Sequence, residues 1–250
     1  MKYKNKKILI IASLFFMLTS CQNKTYSNSN FYFDTFCSWN FTSDEETNLN
    51  INSLIKKINI LSDAYNTNDS LININYLNNH QDEFVEVDPL LIELLKKSLE
   101  LQEYSNGLFN PLIGGLSNKM KNEMDKGSLL SNSNIEEEIS IMNSSKIEFL
   151  DNKVKLSGGA QIDVGAIAKG FVLEKIYKSC EFKKSYYIFN FGESSILLGK
   201  PTKNSNFNIH QGEIIEYRSQ DYIGVESVKY SSVSRENIRG VFRAHRPFYK

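Results

Sequence analysis

Residues 157–170 read Ser157-Gly-Gly-Ala-Gln-Ile-Asp163-Val-Gly-Ala-Ile-Ala-Lys169-Gly170, and the rest of the chain is best understood outward from them. Before this stretch, Ile147-Glu-Phe-Leu and Val154-Lys-Leu flank Asp151-Asn-Lys, which predicts a hairpin whose second arm enters the stretch in extended form. After it, Ile167, Phe171, Ile176 and Tyr177 recur near helical spacing, so a helix is expected to follow. Gly158, Gly159, Gly165 and Gly170 allow a sharp turn and close approach of a ligand to main-chain N–H groups, and Lys169 adds a cation beside that turn. The set suits a phosphate or diphosphate. Glycine and alanine here equally suit close packing of a helix on a sheet, and the pattern is neither GxGxxG nor a Walker loop. Asp163 favours the ligand, because it sets an acid six residues before the lysine across one glycine turn.

The first twenty residues have the form of a targeting segment. Lys2, Lys4, Lys6 and Lys7 make a positive start, and Ile8 to Leu18 is an apolar run shorter than the roughly 20 residues that span a bilayer. Leu18-Thr19-Ser20-Cys21 resembles a lipobox, so Cys21 is expected to be lipidated and to anchor the protein to a bacterial membrane on the extracytoplasmic (periplasmic) side. Gln22 to Asn30 is polar and suggests a tether. Boundaries follow: signal peptide 1–20, tether 21–30, domain 31–234 and an anomalous tail 235–250.

Composition excludes some functions. Lysine plus arginine and aspartate plus glutamate each number 29, so the formal net charge is zero, and no basic stripe with interleaved aromatics appears. Binding to a nucleic-acid backbone is therefore not expected. The three histidines are scattered and there is no CxxC or HExxH, which argues against zinc. Cys37 and Cys180 are left either to pair or to remain buried thiols.

Elements can be placed along the domain. Phe31 to Phe41 alternates as a first strand. Asp44-Glu-Glu opens a helix with Leu49, Leu54, Ile55, Ile58 and Leu61 on one face. Asp88-Pro89 starts another, with Leu91, Leu94, Leu95, Leu99 and Leu101 as its stripe and Gly107 as its stop. Residues 117–146 carry helical fragments and Ser-Asn turns, and 186–199 gives two strands around Gly192-Glu-Ser. Further strands are expected at 207–210, 213–217 and 222–225. The class is α+β, one domain of mixed sheets and helices.

Asp163-Val-Gly-Ala-Ile-Ala-Lys-Gly resembles the Asp-x-Gly-Gly-Ile-Ala-Lys-Gly signature of the FAD:protein FMN transferase family, with Ala166 in place of the second glycine. Four more stations are similar in order. Phe33-Asp34-Thr35 stands where relatives have Met-Gly-Thr; Ser62 to Asn75 resembles Leu-Ser-x-Tyr followed by Asp-Ser-x-Ile-x-x-Asn. Ser105-Asn-Gly-Leu108-Phe109-Asn110-Pro resembles Thr-x-Gly-Ala-Phe-Asp-Pro, and Asn190-Phe-Gly-Glu193 resembles Asn-Leu-Gly-Gly.

The resemblance implies Mg²⁺-dependent transfer of FMN from FAD to a threonine hydroxyl of a target flavoprotein, releasing AMP. It implies that Phe33, Tyr65, Leu108, Phe109, Asn110, Asp163 and Lys169 contact FAD, and that the Ala166 carbonyl meets Mg²⁺. It stops at Ser234. Relatives continue into a His-x-x-Asp-Pro-x-Thr-Gly type segment with magnesium-binding aspartate and threonine, whereas residues 235–250 hold four of the chain's five arginines, the pattern of a replaced or frameshifted end. Little or no transfer by this sequence is therefore the expectation, with FAD held without turnover, a degenerate lipoprotein, or FAD pyrophosphatase activity as alternatives.

Overall fold

The computed structural model describes residues 24–66, 71–179 and 187–199, and the backbone of 206–210, 214–218 and 224–227. Five antiparallel strands form the main sheet in the order β1 (Lys24–Tyr32), β2 (Thr35–Ser43), β6 (Tyr187–Phe191), β7 (Ser195–Gly199), β10 (Gly224–Ser227). A smaller sheet runs β3 (Val85–Glu86), β5 (Lys153–Ser157), β4 (Lys146–Leu150), and β8 (Asn206–His210) pairs with β9 (Ile214–Arg218). Six helices are described: α1 (Glu45–Leu61), α2 (Ile74–Asn79), α3 (Pro89–Tyr104), α4 (Gly114–Asp125), α5 (Asn132–Ser144) and α6 (Gly165–Ser179). The α+β class holds.

Alternation builds the core. Cys37, Trp39 and Phe41 of β2 and Tyr187, Phe189 and Phe191 of β6 point to one face and are buried, as period-2 strands require. α6 packs on α1, α3, β7 and β10, contributing Ala168, Phe171, Val172, Leu173 and Ile176. Phe41 stacks on Phe189 at 5.6 Å. α1 opens at Asp44 as expected, and the structure makes that residue its cap, the carboxylate accepting from the Thr47 N–H at 2.7 Å; α3 starts on Asp88, which accepts from the Leu90 N–H. Gly107 turns left-handed at φ 80° after α3.

Several expectations change. The single strand 31–41 is a hairpin, because Phe33 and Asp34 both take left-handed backbone at φ 52° and 55° and reverse the chain as a two-residue turn. The polar stretch expected as a tether contributes Lys24–Asn30 to β1, paired along its length with β2. An edge strand needs only backbone partners, so polar side chains do not prevent it. Leu49 is exposed and Ile51 replaces it in the α1 stripe. In α3, Ile92 and Ser98 are buried, while Leu99 and Leu101 are only partly covered. Tyr177 lies on the open side of α6. Cys37 is a buried free thiol, pushed up to about 11 by desolvation. Residues 1–23, Cys21 among them, Asp69-Ser70, Cys180, and the tail lie outside the described residues.

Candidate functional site

The hairpin of β4 and β5 turns at Asp151, in left-handed backbone at φ 51°, and delivers the chain to Gly158 and Gly159, which take φ 98° and 90°. These two glycines make the turn; a Cβ on Gly158 would meet the Ser145 Cα at 2.6 Å. Gly165 and Gly170 are not turn residues but lie within α6. Ala166, second in that helix, fits it without strain, since alanine is the best helix former.

Between turn and helix, residues 159–162 pair with side chains in place of a strand. Asn78 donates from Nδ2 to the Ile162 carbonyl at 2.9 Å and accepts the Ile162 N–H on Oδ1 at 2.7 Å. Gln81 donates to the Ala160 carbonyl and accepts from the Gly159 N–H, both at 3.0 Å. On the other edge, the Asp163 N–H donates to the Pro111 carbonyl and the Gly114 N–H to the Gln161 carbonyl, each at 2.8 Å. The Asn110-Pro111 loop is thus tied to Asp163 through backbone. Sequence reasoning does not mark Asn78 or Gln81: asparagine-rich surroundings hide them, and their partners lie about eighty residues away.

Asp163 ends this clamped segment beside a cleft of about 260 Å³. The walls are the β1–β2 turn (Phe31 to Asp34), the end of α1 with its following loop (Asn59, Ser62 to Asn66), and Asp163, Gly165 and Ala168. Asp163 Oδ1 accepts from the Gly165 N–H at 2.8 Å, a carboxylate at a helix N-terminus where the dipole favours negative charge. Its Oδ2 accepts from the Tyr65 hydroxyl at 3.1 Å. Lys121 Nζ lies 5.5 Å from the Tyr65 ring centre. Desolvation, reinforced by Asp163, pushes the Tyr65 phenol up to about 12.

Because that phenol is raised above its ordinary value near 10, its contribution to stability is present below pH 10 and is lost as pH rises through 12. A spectrophotometric titration of wild type minus Tyr65→Phe is expected to show one late-titrating phenol, and Asp163→Asn to bring it earlier.

Phe33 is bulky for left-handed backbone. Its ring stacks on Phe191 at 6.0 Å and its N–H donates to Asn59 Oδ1 at 2.6 Å, which holds the turn against α1 at the cleft wall. Asp63 braces the other wall, accepting from the Tyr65 and Asn66 N–H groups at 2.9 Å.

Of the residues expected at the site, Phe33, Tyr65 and Asp163 line this one cleft. Lys169 lies one turn beyond Gly165 and donates to Ser194 Oγ at 2.6 Å. Asn110 turns its side-chain oxygen to the Leu112 N–H, Phe109 is partly covered, Leu108 is 94% exposed, and none of the three is in the cleft wall. The lining carries Asp34, Asp63 and Asp163 and no lysine or arginine. Carboxylate oxygens are the donors Mg²⁺ prefers. No three acidic, histidine or cysteine side chains converge among the described residues, however, and Ala166 would offer one carbonyl. The described residues do not assemble a magnesium site.

Comparison with known proteins settles the kinship. The profile described as the ApbE family matches residues 27–235. The chain belongs to the ApbE family. This is the family of FAD:protein FMN transferases that the signature resembles. Solved ApbE structures share the fold: the ApbE protein of Thermotoga maritima has TM-score 0.62 at 19% identity, covering 82% of this chain and 68% of that one. The flavin transferase ApbE of Vibrio cholerae gives 0.61 at 14%, covering 80% and 70%, and the apo flavinyl transferase ApbE of Pseudomonas stutzeri 0.59 at 11%, covering 81% and 69%. No curated protein gives a significant match. Within this ApbE-family chain, Asp34 and Glu193, which stand where the signature resemblance implies glycines, both take left-handed φ of 55°. Glycine adopts that conformation without cost and aspartate adopts it more readily than most side chains, so the strain falls mainly on Glu193.

Proposed function

We propose that this protein binds FAD in the Asp163 cleft and transfers its FMN moiety to a threonine hydroxyl of a protein acceptor. The observation that carries the proposal is the convergence of the signature aspartate, the α6 N-terminus, Tyr65 and the Phe33 turn on one cleft. The threonine oxygen bonds to the FMN phosphorus, the P–O bond of the diphosphate breaks, AMP leaves with the bridging oxygen, and the hydroxyl proton is released. Phe33 and Tyr65 offer aromatic surface to a flat ring, while the helix N-terminus and Lys169 offer positive potential to phosphates. Mg²⁺ dependence, implied by family membership, belongs to the proposal. Three carboxylates with no lining cation would repel a bare diphosphate.

A second reading, FAD held without turnover, is favoured by one observation, the lack of a converging metal-ligand group among the described residues. AMP release separates the readings. Transfer predicts AMP in proportion to a threonine-bearing acceptor and suppressed by EDTA; pyrophosphatase activity predicts AMP without acceptor; binding alone predicts flavin absorbance on the protein and no AMP.

We also propose an extracytoplasmic lipid anchor at Cys21, supported by the order of basic start, short apolar run and Leu-Thr-Ser-Cys. Cys21→Ser is expected to move the protein from the membrane fraction to the soluble fraction. Unchanged partition of the mutant into detergent would rule out the anchor.

A further inference from the structure

The ammonium group of Lys169 has an unusual partner for a half-buried cation. Among the described residues no carboxylate lies within ion-pair distance of it; it donates instead to Ser194 Oγ at 2.6 Å. Ser194 Oγ also lies 3.3 Å from the Phe191 carbonyl, to which it donates. The single hydroxyl proton is thereby committed to the carbonyl, and a lone pair faces the ammonium. Ser194 is held in place as the last residue of a fixed turn. The Gly192 N–H donates to the Phe36 carbonyl at 3.0 Å and the Glu193 N–H to Asn190 Oδ1 at 2.9 Å. A Cβ on Gly192 would lie 2.4 Å from Thr35 Oγ1, so this turn abuts the β1–β2 turn that walls the cleft.

From this geometry we infer that Ser194 is a positioning residue, which orients Lys169 toward an anionic phosphate ligand while leaving its charge unneutralised. A carboxylate at this place would orient the ammonium equally well and cancel its charge; a hydroxyl only orients it. Among the described residues Lys169 has this one hydrogen-bond partner, which leaves two of its three ammonium N–H groups for a phosphate. The inference rests on the flavin reading only for the identity of the ligand.

The experiment has two arms, each with Ser194→Ala, Ser194→Thr and Ser194→Asp, and thermal melts confirm that the variants fold. In the first, the Lys169 ammonium is observed by ¹⁵N NMR and assigned with Lys169→Arg. Its slowly exchanging signal is expected in wild type and Ser194→Thr and absent from Ser194→Ala; an unchanged signal in Ser194→Ala overturns the positioning role without reference to flavin. In the second, FAD and riboflavin are titrated by fluorescence. Loss of an oriented, charge-assisted hydrogen bond is expected to weaken FAD about tenfold in Ser194→Ala and further in Ser194→Asp. Ser194→Thr should restore it, and riboflavin, which has no phosphate, should bind all variants equally. Equal FAD affinity in wild type and Ser194→Ala, or equal weakening of riboflavin, overturns the inference. Failure of wild type to bind FAD overturns the flavin reading and the ligand assigned here, while the NMR arm still decides the lysine contact.

Discussion

Asn78→Ala is expected to cost about 2 to 6 kcal/mol of folding stability, because it strands a buried N–H and a buried carbonyl of Ile162 at once and each such loss costs about 1 to 3 kcal/mol. Asn78 is 9% exposed and Ile162 is fully buried, so water cannot readily replace the missing amide. Urea denaturation checks this: the midpoint should fall with the slope unchanged. The substitution also frees the segment that ends in Asp163, so FAD affinity should drop under conditions where the variant is still folded. A variant with native stability would show that the paired amide bonds of Asn78 contribute little.

Asp163→Ala is expected to act in the opposite proportion, with a modest effect on stability and a large one on function. It removes a helix-terminal carboxylate that accepts from the Gly165 N–H, worth about 1 kcal/mol for a cap. It also removes the acceptor that orients the Tyr65 hydroxyl. Without these two hydrogen bonds the cleft is less organised, and FAD-dependent transfer should fall on the order of a hundredfold. Comparing the urea midpoint with the transfer rate of the same preparation separates the two effects. Equal fractional losses in both would make Asp163 a scaffold residue.

How far the sequence disclosed this arrangement depended on the kind of interaction involved. The β4–β5 hairpin and the helix after Asp163 were legible, since alternation and helical spacing are local properties of the chain. The helix starts at Asp44 and Asp88 were legible for the same reason. β1 was not, because Lys24 to Asn30 pairs through backbone alone at a sheet edge and its serines and asparagines carry no strand pattern. Nor was the reversal at Phe33-Asp34, where left-handed backbone falls on a phenylalanine and is held by Phe191 and Asn59 from distant elements. Within the site, the signature pointed to Asp163 and the likeness to relatives pointed to Tyr65 and Phe33. The bonds that hold them were out of reach, since Asn78 lies 84 positions from Ile162 and Ser194 lies 25 from Lys169. The turn between β6 and β7 at Gly192-Glu193 was legible, because it separates two apolar runs.

Left-handed backbone at Glu193 costs strain on the order of 1 to 3 kcal/mol, and at Asp34 less. Asp34 lines the cleft and Glu193 directly precedes Ser194, the partner of Lys169. Aspartate tolerates the left-handed region better than most side chains.

Transfer of FMN from FAD to an acceptor threonine at the Asp163 cleft is tested most directly by the mass and fluorescence of the acceptor itself. A threonine-bearing acceptor is incubated with FAD, Mg²⁺ and either wild-type protein or Asp163→Ala, then denatured and resolved. Transfer at this cleft predicts a fluorescent acceptor band, heavier by one FMN attached through phosphate at threonine, that forms with wild type and is reduced on the order of a hundredfold with Asp163→Ala. An acceptor that stays unlabelled with wild type, or that is labelled equally by both proteins, would contradict it.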